Sequence, residues 1–198
     1  MIGPQEPLVR LASASPRRRE LLRQIGVPHV VVDANVDESA RAGEAPHEYV
    51  QRMARLKANA VWQTDRSLPV LAADTTVLLD GRIFGKPLNR EDGLEMLARL
   101  SGRTHEVLSA VALANAAGTI LRMNVSSVKL RVLDAAECAR YWDTGEPADK
   151  AGAYAIQGFA AVFVESLSGS YSGVMGLPLY ETAELLRSAG LPCWCTMA

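Results

Sequence analysis

Short apolar runs alternate with amphipathic stretches along this chain, the pattern of an α/β protein. Residues 8–12, apolar but for Arg10, predict a first strand. Ser13-Ala14-Ser15-Pro16 follows, and Arg17-Arg18-Arg19-Glu20-Leu21-Leu22 begins a helix. Ser15 has N-cap chemistry, and Pro16 suits a first helical position, where a backbone N–H has no intrahelical partner. Gly26 predicts the stop, and residues 27–32 a second strand. Residues 34–39 read as a loop. Pro46 opens a second helix to about Gln63, with Val50, Met53, Ala54 and Val61 at helical spacing. Residues 69–74 predict a buried strand delivering Asp74 to its C-terminal end. Asp80-Gly81 then predicts a tight hairpin between residues 77–79 and 82–84.

The second half continues the alternation. Asn89 caps a third helix with Leu94, Leu97 and Leu100 inward, ended by Ser101-Gly102. Residues 105–114 and 119–133 predict two long strands. In the latter, Val125, Ser127, Lys129 and Arg131 share one face, and Ser126, Val128, Leu130 and Val132 the other. Asp134 with Glu137 predicts a capping box for a fourth helix through Tyr141. Residues 160–165 predict another strand. A last helix has Leu185 and Leu186 inward and Gly190 as its stop.

At 198 residues the chain suits one domain with a substantial core. A hydrophobic fraction of 48% with 22% charged residues suits a globular protein. The net charge of −1 argues against a broad footprint for duplex nucleic acid, so polyanion chemistry must be local. Cys138, Cys193 and Cys195 include no C-x-x-C pair, which points to reduced thiols of a cytosolic protein. The opening residues 1–9 hold no apolar signal core, and no run reaches the length of a membrane span. Neither a G-x-x-x-x-G-K-[ST] loop nor a G-x-G-x-x-G fingerprint is present. His29, His47 and His105 lack zinc-hydrolase spacing.

Five places carry candidate chemistry. The strand, turn and basic helix start at 8–18 describe either an anion site, with Arg17 and Arg18 as forked donors, or an exposed basic helix start. Asp37-Glu38 is either a metal or catalytic corner or a solvated turn. Lys57 interrupts the apolar stripe of the second helix; it either snorkels to solvent or aims into a cleft toward a carboxylate or phosphate. Asp74, at a strand end, is where ligands sit in open α/β sheets, and the hairpin returns Lys86 near its level. The two are either an ordinary cross-strand pair or part of a site. Gln157, in a stretch of small residues over 150–158, either marks a turn, or reads an amide or carbonyl edge of a base, or orients a water or phosphate.

In this order and spread over nearly the whole chain, the motifs resemble the Maf family of nucleoside triphosphate pyrophosphatases. The resemblance rests on Ser13-Ala14-Ser15-Pro16-Arg17-Arg18, Asp37-Glu38, Lys57, Ala73-Asp74-Thr75, Gly85-Lys86-Pro87, residues 150–158 and Gly176-Leu177-Pro178-Leu179. It implies a mixed, Maf/inosine triphosphatase-like α/β fold: an elongated curved sheet flanked by helices, in two lobes around a central cleft, with a core over about 8–190. It implies a cytoplasmic enzyme, commonly a homodimer, that binds neither nucleic acid nor membrane. Such an enzyme cleaves a nucleoside triphosphate between the α and β phosphates with Mg²⁺, for which Mn²⁺ or Co²⁺ can substitute.

Residues 150–158 resemble the branch acting on dTTP and UTP; a second branch acts on 7-methyl-GTP. Ala72 and Ala155 stand where glycine is frequent in the family. The family's link to septum formation leaves a nucleotide-binding regulator of cell division as the alternative. By this resemblance, Ser13, Ser15, Arg17, Arg18, Thr75 and Gln157 bind substrate, with Lys57 and Lys86 completing the positive cradle. Glu38 and Asp74 hold the metal, and Asp74 is the general base. Beside a metal and lysines Asp74 is expected to stay ionised and weakly basic, so that positioning supplies much of the effect. Arg19 is expected to face solvent.

Overall fold

The computed structural model describes residues 6–195; Met1 to Gln5, part of the opening stretch read for a signal core, lie outside them. Strand β1 is Val9–Ala12 and helix α1 is Pro16–Gln24, with the proline in the first turn. Ser15 has the extended N-cap backbone but makes no side-chain cap; its own N–H donates to Ser13 Oγ at 3.2 Å. Gly26 ends the helix at φ 65°, a left-handed conformation that glycine adopts without a Cβ penalty. β2 is His29–Val32, shorter than the apolar run. The Val27 N–H donates back to Leu22 O, and Pro28 has no N–H, so pairing begins at His29.

α2 is Pro46–Thr64, and β3 is the ten-residue strand Val70–Leu79. Asp74 therefore lies in mid-strand and not at the C-terminal end that its apolar run predicts. The β-branched Thr75, Thr76 and Val77 carry the extended backbone onward. β3 pairs in parallel with β1 at Val70 and Leu71, and antiparallel with β4 (Arg82–Phe84) from Val77. Asp74 stands between these two stretches of pairing. The turn into β4 uses Asp80 at φ 52° and Gly81 at φ 75°, the mirror-image turn suited to a two-residue hairpin.

α3 is Arg90–Leu100, capped as predicted by Asn89, whose side chain accepts from the Asp92 N–H. β5 is Thr104–Asn115 and β6 is Gly118–Leu130. The alternation in β6 holds through Ser126, Val128 and Leu130, all buried, but the register shifts at Lys129/Leu130. β6 ends at Leu130, short of the predicted Leu133, so Val132 lies past the strand and is 77% exposed. α4 is Ala135–Asp143; Asp134 accepts from the Glu137 N–H, while the Glu137 carboxylate turns to Arg131 instead of closing the capping box. Residues 160–163, predicted as strand, belong to the 3-10 turn Phe159–Phe163, and β7 is Val164–Ser168. A short helix that the pattern does not predict, α5 (Tyr171–Met175), precedes α6 (Leu179–Ser188).

The strands form one mixed sheet in the order β2-β1-β3-β5-β6-β7, with β4 beside β3. The chain divides into two compact units, one of residues 1–74, 109–124 and 176–198 and one of residues 75–108 and 125–175. In the first, Leu11, Leu22, Met53, Leu71, Leu185 and Leu186 are fully buried. In the second, Leu97, Leu100, Leu130, Tyr141 and Phe163 share a core. Burial of such side chains stabilises by about 1.5–3 kcal/mol each. The cysteines are all free, and among the described residues no helix is long and apolar enough to cross a membrane.

His105, in the second unit, is 2% exposed; its Nε2 meets the Tyr154 hydroxyl at 2.8 Å, and its Nδ1 has no hydrogen-bond partner among the described residues. Burial pushes its pKa down from 6.5 to about 4. The unfolded chain thus takes up this proton at a higher pH than the native one. Stability is unaffected above about pH 6.5 and is lost as the pH falls toward 4. Between pH 7 and pH 5 the expected loss is about 2 kcal/mol more for the wild type than for His105→Gln, read by urea unfolding. Equal pH slopes would contradict it.

Candidate active site

The apolar stripe of α2 dictates where Lys57 points. Met53, Lys57 and Val61 follow one another at single-turn spacing, so the lysine is carried inward with its neighbours. Lys57 is 8% exposed and does not snorkel to solvent. Its Nζ donates to Asp74 Oδ1 at 2.7 Å and meets Glu38 Oε1 at 2.9 Å. Asp74, on β3, is 6% exposed. One ammonium group therefore joins two carboxylates that are 36 positions apart in sequence.

α1 brings a second cation to this pair. Arg18 Nε donates to Gly176 O at 2.7 Å and Nη1 to Ser13 Oγ at 3.3 Å. Burial lowers the Arg18 pKa, and the nearby Asp74 carboxylate offsets part of that. Burial raises the Asp74 pKa, with the Lys57 and Arg18 charges opposing it. Among these protein groups desolvation outweighs the two cations, whereas the expectation of a weakly basic Asp74 concerns the site with its metal in place.

Asp37 and Glu38 part company. Asp37 Oδ1 accepts from the Ser39 N–H and hydroxyl at 2.9 and 2.6 Å, closing a solvated turn. Glu38 alone reaches the site, and its side chain remains 57% exposed. Two residues of α2 that the pattern does not single out tie its loop down. The Tyr49 hydroxyl donates to Glu38 O, and Arg52 Nη2 to Ser39 O, both at 3.0 Å. Burial and the Asp74 and Glu38 charges push the Tyr49 pKa up to about 12. The spacing of Tyr49 and Lys57, eight residues on one helix, is the signal that could have found it.

The remaining candidates divide between the units. Ser13 is buried and Arg17 half-buried beside this cluster in sequence, while Ser15 gives its N–H to Ser13. Arg19 does not face solvent: it is half-buried, and its Nε is buried without a partner among the described residues. Thr75 follows Asp74 on β3. Lys86 and Gln157 belong to the second unit; Lys86 is exposed just past the β3–β4 ladder, and Gln157 is half-buried in a tight turn.

Glu38 and Asp74 each keep a second carboxylate oxygen, and these hard donors fit Mg²⁺, which takes one or two carboxylates together with phosphate oxygens and water. Among the described residues no group of three His, Cys, Asp or Glu side chains gathers to hold a metal by itself. The donor set is therefore one that a phosphate-bearing ligand would complete.

A buried lysine–carboxylate pair beside an arginine-bearing helix start thus sits on the mixed sheet of an α/β protein. Residues 8–189 match the family described as Maf-like protein, and the chain belongs to that family. It is 54% identical over 194 residues to a dTTP/UTP pyrophosphatase of Bordetella pertussis, covering 93% of this chain and 94% of the relative. It is 50% identical over 192 residues to a dTTP/UTP pyrophosphatase of Saccharophagus degradans, covering 95% and 91%. Among solved structures, a nucleoside-triphosphatase / dITP/XTP pyrophosphatase of Mycobacterium abscessus aligns at a TM-score of 0.45 and 17% identity, over 92% of this chain and 96% of that one. That likeness is too distant to bear on this chain's chemistry.

Lys57→Met would leave Asp74 buried beside Arg18 alone. Breaking a buried pair costs roughly 3–5 kcal/mol, and the remaining arginine keeps the expected loss near the lower figure. The loss at pH 8 is expected to exceed that at pH 5, where Asp74 can take up a proton. Urea unfolding at the two pH values checks this, and the same loss at both would contradict a charge-based role.

Proposed function

We propose that this protein hydrolyses dTTP and UTP between the α and β phosphates, releasing the nucleoside monophosphate and pyrophosphate. The observation that carries the reading is Lys57 held between Glu38 and Asp74 with Arg18 alongside. Two relatives at 54% and 50% identity, both named dTTP/UTP pyrophosphatases, support it and favour these substrates over 7-methyl-GTP. Both carboxylates and both lysines of the motif series are present, which favours turnover over a regulator that only senses nucleotide.

The chain's own groups divide the work. Arg17, Arg18 and the positive dipole end of α1 hold phosphate oxygens, with Lys57 and Lys86 adding charge. Ser13 Oγ already accepts from the Ser15 N–H and from Arg18, so its hydroxyl proton is left for a phosphate. Lys57 fixes Asp74 Oδ1. Oδ2 has no hydrogen-bond partner among the described residues and is the atom that takes the proton of the attacking water. Glu38 would hold Mg²⁺, or Mn²⁺ or Co²⁺ in its place, directly, and Asp74 through one of the cation's waters; when bound, such a cation neutralises phosphate charge and polarises the phosphoryl oxygens. Thr75 and Gln157 complete the contacts, Gln157 at the base. The proposal extends to a cytoplasmic homodimer that takes free nucleotides and neither nucleic acid nor membrane.

Asp74→Asn is expected to lower kcat by about 10²–10⁴-fold, the range of general-base catalysis, with nucleotide affinity little changed. Wild-type turnover in that variant would remove Asp74 from the base role. From UTP and Mg²⁺ the first inorganic product is expected to be pyrophosphate, and a chelator should abolish its release. Orthophosphate appearing first would reject the reaction.

A further inference from the structure

The second unit builds a brace around the turn that carries Gln157. The Gly158 N–H donates to Ala155 O at 3.0 Å, so Ala155 to Gly158 form one tight turn with Gln157 at its third position. Both flanks of the turn are held by the same pair of side chains. The Ala155 N–H donates to the Tyr141 hydroxyl at 3.1 Å, and that hydroxyl donates to Glu146 Oε1 at 2.8 Å. On the other flank, Glu146 Oε2 accepts from the Phe159 N–H at 3.0 Å and Oε1 from the Ala160 N–H at 3.3 Å.

Local sequence explains how the pair is formed. α4 buries Tyr141 at 4% exposure, with its ring edge-on to Phe163 at 5.1 Å. Gly145, at φ 77°, reverses the chain so that Glu146, five residues after Tyr141, returns to it. At the turn itself a Cβ on Gly158 would overlap the Glu146 carboxylate, so only glycine lets the acid approach. A carboxylate accepting two backbone N–H groups at the start of Phe159–Phe163 also accounts for the 3-10 turn that replaces the predicted strand. The Gln157 side chain itself has no hydrogen-bond partner among the described residues. Its backbone is fixed from both sides and its amide is left for a ligand.

We infer that Tyr141 and Glu146 are positioning residues for Gln157, and that through it they set the affinity for the pyrimidine base of the substrate. This rests on the assignment of Gln157 to the base in the proposed function. The brace lies wholly within the second unit, so loosening it is expected to weaken the hold on the base.

The test compares UTP with inorganic tripolyphosphate, a probe that has the phosphates and no base. Tyr141→Phe keeps the ring against Phe163 and removes both hydroxyl contacts; Glu146→Gln is the second variant, should the first not fold. In either, the KM for UTP is expected to rise about tenfold with kcat within about twofold, while the inhibition constant of tripolyphosphate stays unchanged. In a Gln157→Ala background the same substitution is expected to change KM no further, because its effect runs through Gln157. An unchanged KM for UTP, a parallel rise in the tripolyphosphate constant, or effects that multiply in the double variant would each overturn the inference. Wild-type protein that releases no pyrophosphate from UTP would overturn the proposed function, and the inference with it. Wild-type turnover with an unaffected variant would overturn the inference alone.

Discussion

The buried ion pair between Lys57 and Asp74 is the constraint on which the site depends. An ammonium group in an apolar stripe is costly unless a partner meets it, and a carboxylate in mid-sheet is costly in the same way. Each makes the other tolerable. Arg18 and Glu38 then find their places around a pair whose position is set by a helix and a strand, not by a loop. The same burial that makes the pair expensive pushes the pKa of Asp74 up against the pull of the two cations.

β3 supplies the geometry. Its first residues pair in parallel with β1, and its last pair antiparallel with β4. Asp74 lies in the interval where neither partner claims the backbone, just beyond the level at which β1 ends and α1 begins. An arginine-rich helix start and a strand-borne carboxylate are thus brought together by chain connectivity. In the second unit a different device does comparable work, with Tyr141 and Glu146 holding a turn through backbone N–H groups.

Much of this was legible in the sequence because its signals are local. Pro16 and Pro46 mark helix starts, Asn89 a cap, Asp80-Gly81 a hairpin, and the spacing of Met53, Lys57 and Val61 an inward lysine. The misses have a common origin in tertiary contacts. Asp74 looked like a strand end because its run of small apolar residues stops there; the backbone does not stop. Residues 160–163 look like a strand by composition, and a carboxylate fourteen positions back turns them into a 3-10 segment. Val132 keeps the alternation in sequence, but β6 has ended before it. Asp37 and Glu38 are indistinguishable as adjacent acids, and only the Ser39 turn separates the structural one from the one that meets Lys57.

The central claim is that Lys57 and Asp74 act as one unit in a triphosphate-cleaving site. A double-mutant cycle over Lys57→Met and Asp74→Asn, read as kcat/KM for UTP, tests it most directly. If the pair is a unit, the second substitution costs little once the first is made. Losses that multiply in full would show two residues acting independently and would contradict the account.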